Sequence, residues 1–178
     1  GVRQLPHAGG LTMALDVARI KADFPILSRR VNDHRLVYLD SASSAEKPLQ
    51  VLAAMENLYH QSYANVHRGV YTIAEETTAA YEAARAKVGR FINANEAAEV
   101  VFVRNATEAI NLVAYTWARQ NLASGDIVVL SEMEHHANIV PWLMLASERG
   151  VELRWIPLTP DFRLDLSDLD ALLRDAKL

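Results

Sequence analysis

The run Ser131-Glu132-Met133-Glu134-His135-His136-Ala137-Asn138 sets two carboxylates and two imidazoles almost side by side. It follows the apolar run Ile127-Val128-Val129-Leu130, which reads as a buried strand, and it precedes a segment of helical periodicity. Open α/β sheets bind ligands beyond the carboxyl ends of their strands, and three chemistries suit such a cluster there. Imidazole and carboxylate both ligate zinc or manganese, but neighbours in a loop seldom point at one ion, and the HExxH spacing is missing. Alternatively, one flat imidazole lies on the face of an aromatic cofactor while the other faces the protein. In the third reading both histidines are solvated or hydrogen-bonded at an ordinary helix start. Spacing disfavours the metal and leaves the other two open.

A second group is Arg104-Asn105-Ala106-Thr107-Glu108. Here an apolar run ends and a helix begins with its first N–H groups unpaired. Such an end attracts phosphate through those donors and the helix dipole, and the Thr107 hydroxyl adds a further donor. On these residues alone, an ordinary helix cap with Asn105 as the capping side chain is the simpler reading. Neither GxGxxG nor GxxxxGK[ST] occurs, so the two commonest nucleotide sites have no support. His67-Arg68-Gly69 joins two helices; Arg suits carboxylate or phosphate, and Gly69 permits a tight turn. An exposed connection explains it equally simply. Asp40-Ser41-Ala42-Ser43 is either a strand-end turn or a small-residue floor under a ligand.

The elements that position these groups follow from pattern. A short amphipathic helix is expected over Ala14–Phe24, ending near Pro25, and a strand over Leu36–Leu39 delivers Asp40. Helices are predicted from Pro48 to Tyr63 and from Thr72 to Phe91, the second rich in Ala and Glu. Val100–Val103 reads as a strand. A helix from Thr107 to about Asn121 sets Ile110, Val113, Ala114 and Trp117 on one face. After the Ile127–Leu130 strand come a helix over Ile139–Glu148 with Gly150 as C-cap, and a strand over Val151–Ile156. A last helix over Asp168–Ala176 is capped by Ser167. Strand and helix alternate from Glu99 onward, which predicts an α/β fold with a mostly parallel sheet and crossover helices. Residues 1–13 read as a disordered tail or a vector-derived remnant. No linker divides the rest, so 14–178 is expected to be one domain.

Composition narrows the classes. With 178 residues, 51% of them hydrophobic, the chain can bury a core. A formal net charge of -4 gives nucleic acid no basic face to bind. No apolar stretch reaches the roughly 20 residues that span a bilayer, and no signal-peptide core is present. Cysteine is absent, which excludes disulfides, thiolate metal sites and a cysteine nucleophile within these residues. The expectation is a soluble cytoplasmic protein with no metal.

Taken together, Tyr38-Leu39-Asp40-Ser41-Ala42-Ser43-Ser44-Ala45-Glu46-Lys47-Pro48, Val66-His67-Arg68-Gly69, the stretch from Val101 through Arg104-Asn105-Ala106-Thr107-Glu108 to Ala114, and Met133-Glu134-His135-His136-Ala137-Asn138-Ile139-Val140-Pro141-Trp142 resemble the N-terminal half of SufS-type cysteine desulfurases. These are pyridoxal-phosphate (PLP) enzymes of the class V aminotransferase group, fold type I. Four motifs in order, from about Val17 onward, make the resemblance strong. It implies the N-terminal part of a PLP-dependent transferase large domain. It also implies conversion of L-cysteine to L-alanine, with the sulfur held as a persulfide and passed to an acceptor protein for iron–sulfur cluster assembly.

The resemblance also assigns roles. His135 would stack on the PLP ring and assist proton transfer. Thr107 and the Ala106 N–H would hold the phosphate. Ala42 and Ser43 would line the substrate side, with His67 and Arg68 near the active site in a homodimer. The Schiff-base lysine and the persulfide cysteine of this family come later than Leu178; Lys21, Lys47, Lys87 and Lys177 match no part of the lysine motif. On that reading the chain is an N-terminal fragment, inactive alone. A selenocysteine lyase, another class V lyase or epimerase, or a non-catalytic interaction module are the alternatives.

Overall fold

The computed structural model describes residues 15–178, so the expected tail over residues 1–13 lies outside the described residues. The chain gathers into two compact units that meet in sequence between Ala97 and Ala98, and each is described by itself.

The first unit is mostly helical. Asp16 caps α1 (Val17–Ala22) by accepting the Arg19 N–H at 3.0 Å. The helix is shorter than its expected Ala14–Phe24 span, because Asp23 ends it and Pro25 opens a separate 3₁₀ turn. A hairpin follows that periodicity did not reveal: β1 (Arg30–Val31) pairs antiparallel with β2 (His34–Arg35). Asn32 and Asp33 turn it with φ of 49° and 62°, as a two-residue loop with both central residues at positive φ requires. The strand expected over Leu36–Leu39 does not form. Only Leu36 extends the hairpin, donating to the Arg29 carbonyl at 3.1 Å, while Val37 is 70% and Leu39 90% exposed. The Tyr38 hydroxyl instead ties the chain into a loop on the carbonyls of Ser44 and Asp40. Then come α2 (Leu49–Gln61), tied to the end of α1 by the Leu49 N–H on the Asp23 carbonyl at 2.8 Å, and α3 (Thr72–Phe91).

The second unit holds the α/β part. The run Val100–Val103 is not a strand: Val100 is buried, but Val101 remains 61% exposed, where a strand of a parallel sheet is covered on both faces. One helical rod follows in three pieces, α4 (Ala106–Val113), a π-helical turn (Ala114–Ala118) and α5 (Arg119–Asn121). The wider π turn moves the buried face. Ala114, Ala118 and Leu122 enter the core with Ile110 packed against them, and Trp117, expected on that face, is left 43% exposed.

Strand β3 (Ile127–Ser131), helix α6 (Val140–Arg149) and strand β4 (Glu152–Ile156) form a β-α-β unit. The strands pair in parallel, Ile127 opposite Glu152 through Ser131 opposite Ile156. Gly150 ends α6 at φ 73°, the left-handed cap that glycine adopts without penalty. Val128, Leu130, Trp142, Leu145 and Val151 complete the core. The last helix is only α7 (Leu169–Leu172), with Asp168 rather than Ser167 at its cap. It is short because the chain turns back to the sheet: Ala176 bridges Ile127 in parallel, and the Leu178 carbonyl accepts the Val129 N–H at 2.8 Å. No helix among the described residues is long and apolar enough to cross a membrane.

The loop after β4 stores strain at one point. Phe162 sits at φ 60° and is 78% exposed, a left-handed conformation that costs an ordinary L-residue about 1–2 kcal/mol. Phe162→Gly forfeits little burial and relieves that cost, so urea unfolding will show a gain of roughly 1 kcal/mol. An unchanged or lowered midpoint would mean that the ring is held by contacts worth more than the strain.

Candidate active site

The polar cluster stands where β3 ends. Ser131, the last residue of the strand, is 8% exposed, and its Oγ donates to Glu134 Oε1 at 2.7 Å. Glu134 Oε2 accepts from Asn138 Nδ2 at 2.9 Å, and Asn138 Oδ1 accepts the buried indole N–H of Trp142 at 2.9 Å. This chain of hydrogen bonds runs from the strand, through the loop, to the first turns of α6. It fixes the loop from beneath. Glu132 is exposed, and its carboxylate accepts the Leu158 N–H at 3.2 Å. Both carboxylates of the cluster therefore brace backbone and side chains, and among the described residues no three His, Asp or Glu side chains gather as a metal site.

Bracing leaves the imidazoles outside. His135 is exposed and caps the short turn His136–Asn138, its Nδ1 accepting the Ala137 N–H at 3.1 Å. A ring that accepts at Nδ1 carries its neutral-state proton on Nε2, so the free edge of His135 is a donor. The His136 ring stands nearly perpendicular to it, with centroids 6.2 Å apart. Both rings cannot lie flat against one planar ligand, and of the two His135 is the one oriented by a cap.

Hydrogen bonds from Asn138 and Ser131 hold the Glu134 carboxyl below its usual range. The sign follows. A carboxylate with a lowered folded pKa stabilises the fold fully above the unfolded value of about 4.3, and loses that contribution as pH falls through the folded value. Glu134→Gln will therefore weaken the protein at neutral pH and shrink the loss of stability below about pH 4. Unfolding midpoints recorded from pH 3 to 7 decide it, and curves of identical shape would contradict the assignment.

The helix end at Ala106 is built by its neighbours. Asn105, in extended conformation, accepts the Glu108 N–H on Oδ1 at 2.9 Å, while its carbonyl takes the Ala109 N–H at 3.1 Å. Glu108 folds back to Arg104, accepting its N–H at 2.6 Å and its guanidinium at 3.1 Å. The expected cap is thus present, and it satisfies the N–H groups of Glu108 and Ala109. Those of Ala106 and Thr107 have no acceptor among the described residues and face outward from an exposed turn. The cap and the anion site are compatible, since they use different donors. Helix α4, which carries the two donors at its N-terminus, packs against the 136–138 turn that His135 caps.

The remaining sequence-predicted residues lie in the first unit. Ala42 and Ser43 are exposed in a turn closed by the Ser43 and Ser44 N–H groups on the Asp40 carbonyl. His67 and Arg68 lie in the loop between α2 and α3; Arg68 is exposed, and His67 reaches Glu82 of α3 at 2.8 Å. Sequence reasoning missed the bracing roles of Asn138 and Trp142, although Glu134, Asn138 and Trp142 recur every fourth residue, a spacing that marks one helical face.

Comparison with known proteins decides the lineage. The aminotransferase class-V family matches residues 37–177. The chain belongs to this family. Cysteine desulfurases of Salmonella newport and Salmonella typhimurium are each 53% identical to it over 163 residues, 92% of the chain. The chain spans 40% of the length of these curated relatives. Among solved structures, the apo cysteine desulfurase of Thermococcus onnurineus superposes with a TM-score of 0.79 at 33% identity, over 90% of this chain and 38% of that one. The cysteine desulfurase CsdA of Escherichia coli gives 0.71 at 41% identity, over 89% and 39%. The class V family and its α/β fold are those the sequence motifs resembled.

Proposed function

We propose that this chain is the N-terminal, cofactor-binding part of a PLP-dependent cysteine desulfurase. In the whole enzyme L-cysteine becomes L-alanine, and the sulfur is held as an enzyme persulfide and passed to an acceptor protein for iron–sulfur cluster assembly. Residues 14–178 are then one incomplete large domain of a cytoplasmic homodimer. The lysine that holds PLP and the cysteine that carries the sulfur belong to the rest of the protein, since desulfuration needs a thiolate and this stretch contains no cysteine.

The observation that carries the proposal is the pair of outward N–H donors at Ala106 and Thr107, on a helix packed against the turn that His135 caps. A dianionic phosphate fits two such donors at a helix N-terminus, with the Thr107 hydroxyl as a third. The exposed His135 ring offers a flat face to a pyridine, and its Nε2 edge is suited to hold or pass a proton. When bound, PLP supplies an electron sink for charge developing on the substrate Cα. Ala42, Ser43, His67 and Arg68 are assigned to the substrate side. Identity of 53% to named cysteine desulfurases supports the choice of reaction.

The test is a PLP titration of this 19.8 kDa chain, followed by absorbance and competed with inorganic phosphate. Weak, phosphate-competed binding without turnover of L-cysteine is expected; turnover by the chain alone, or indifference to phosphate, would overturn the reading.

A further inference from the structure

The loop between α2 and α3 makes an unusual turn. The Arg68 N–H donates to the Val66 carbonyl at 3.0 Å, across one residue, and His67 at the centre has φ 69°. A three-residue turn with positive φ at its centre is the rare and strained form, and a non-glycine residue keeps it only when its surroundings over-determine it. They do so here. The His67 N–H donates to Thr78 Oγ1 at 2.9 Å. Its Nε2 meets Glu82 Oε1 at 2.8 Å, and its ring packs edge-on against Tyr81 at 5.5 Å. The other Glu82 oxygen accepts from Arg85 Nε at 3.1 Å, and the Arg85 guanidinium lies 5.1 Å over the Tyr81 ring.

Residues 78, 81, 82 and 85 form one face of α3 by their spacing. The chain beyond Arg68 is pressed onto the same helix: a Cβ on Gly69 would lie 2.3 Å from that of Ala74. So the loop is fixed on both sides of Arg68. Yet Arg68 is exposed and makes no ion pair among the described residues.

We propose that Thr78 and Glu82 hold His67 as a clamp, and that the clamp presents Arg68 as a fixed binder of a carboxylate. The guanidinium fork matches a carboxylate with two parallel hydrogen bonds, and a rigid loop spares the entropy of ordering it. This deepens the desulfurase reading and rests on it for the identity of the substrate. His67 and Glu82 are positioning residues; Arg68 makes the contact. The carboxylate comes either from the amino-acid substrate or from an acidic side chain of a second copy of the chain.

The test uses the full-length, PLP-loaded protein. Glu82→Gln and Thr78→Val will each speed amide hydrogen exchange at residues 66–70, by about fivefold or more for one lost hydrogen bond of roughly 1 kcal/mol. Unchanged exchange in both overturns the clamp. Arg68→Ala will raise KM for L-cysteine roughly tenfold or more, with kcat little changed, if the carboxylate is the substrate's. If it belongs to a second copy, KM stays and sedimentation equilibrium shows weaker self-association. If Arg68→Ala alters neither KM nor self-association, the role of Arg68 is overturned. In an Arg68→Ala background, Glu82→Gln will have no further effect on the affected quantity, and additive effects would return His67 and Glu82 to purely structural roles. If the unaltered protein does not turn over L-cysteine, the desulfurase reading fails, while exchange and sedimentation still decide the clamp and the contact.

Discussion

Trp142→Ala will lower stability by about 3–5 kcal/mol, the range for deleting a large aromatic side chain from a packed core. Trp142 is 5% exposed among Ala114, Ala118, Leu122, Val128, Leu130 and Leu145, so truncation leaves a cavity that the sheet and two helices cannot close. The same change cuts the last link of the Ser131–Glu134–Asn138–Trp142 chain. Trp142→Phe separates the two effects: it retains most of the packing, removes the indole N–H and leaves the Asn138 carbonyl oxygen short of a donor, at a cost of about 1 kcal/mol. Urea unfolding measures both. A loss under about 2 kcal/mol for Trp142→Ala would show that the core repacks around the gap.

If the N-terminus of α4 holds the cofactor phosphate as proposed, Ala106→Pro will remove one of its donors while leaving the fold nearly as stable. Ala106 is the first residue of α4, where proline is tolerated because the N–H has no helical acceptor. Asn105 before it is extended, at φ -166° and ψ 172°, a region compatible with a following proline. A hydrogen bond to a charged group contributes about 1.5–3 kcal/mol, so PLP affinity should fall roughly tenfold to a hundredfold with the thermal midpoint within a degree or two. Equal PLP affinity in the variant would remove this helix end from the cofactor site, and a large fall in midpoint would show that Ala106 has a structural role.

Helix α3 and strand β3 were legible in the sequence to within a residue, and so was α6 with its glycine cap, because each carries its signal locally: dense periodicity, an apolar run, a terminator. The four-residue apolar runs at 36–39 and 100–103 carry the same local signal as β3 and yet form no strand, since a strand depends on a neighbour that its own residues do not specify. The hairpin at 30–35 is too short for periodicity, and only Asn32-Asp33 betrays it. The π turn left no mark and misplaced Trp117. At the site, the polar run and the helix end were found from chain order. The clamp on His67 was not, because Thr78 and Glu82 lie 11 and 15 residues away and meet it only through the folding of the loop.

That π turn has a mechanical consequence. It amounts to one residue more than an α-helical rod would need between the buried Ala114 and Ala118. Excising one residue there would let the rod regularise, and with 3.6 residues per turn the part before it would rotate by about 100° relative to the part behind it. If Ala118 and Leu122 kept their seats, the open end at Ala106 and Thr107 would swing to another side of the rod. The insertion thus works as a phase adjuster: it lets one length of chain satisfy a hydrophobic interior at its far end and aim its two outward donors independently at the near one.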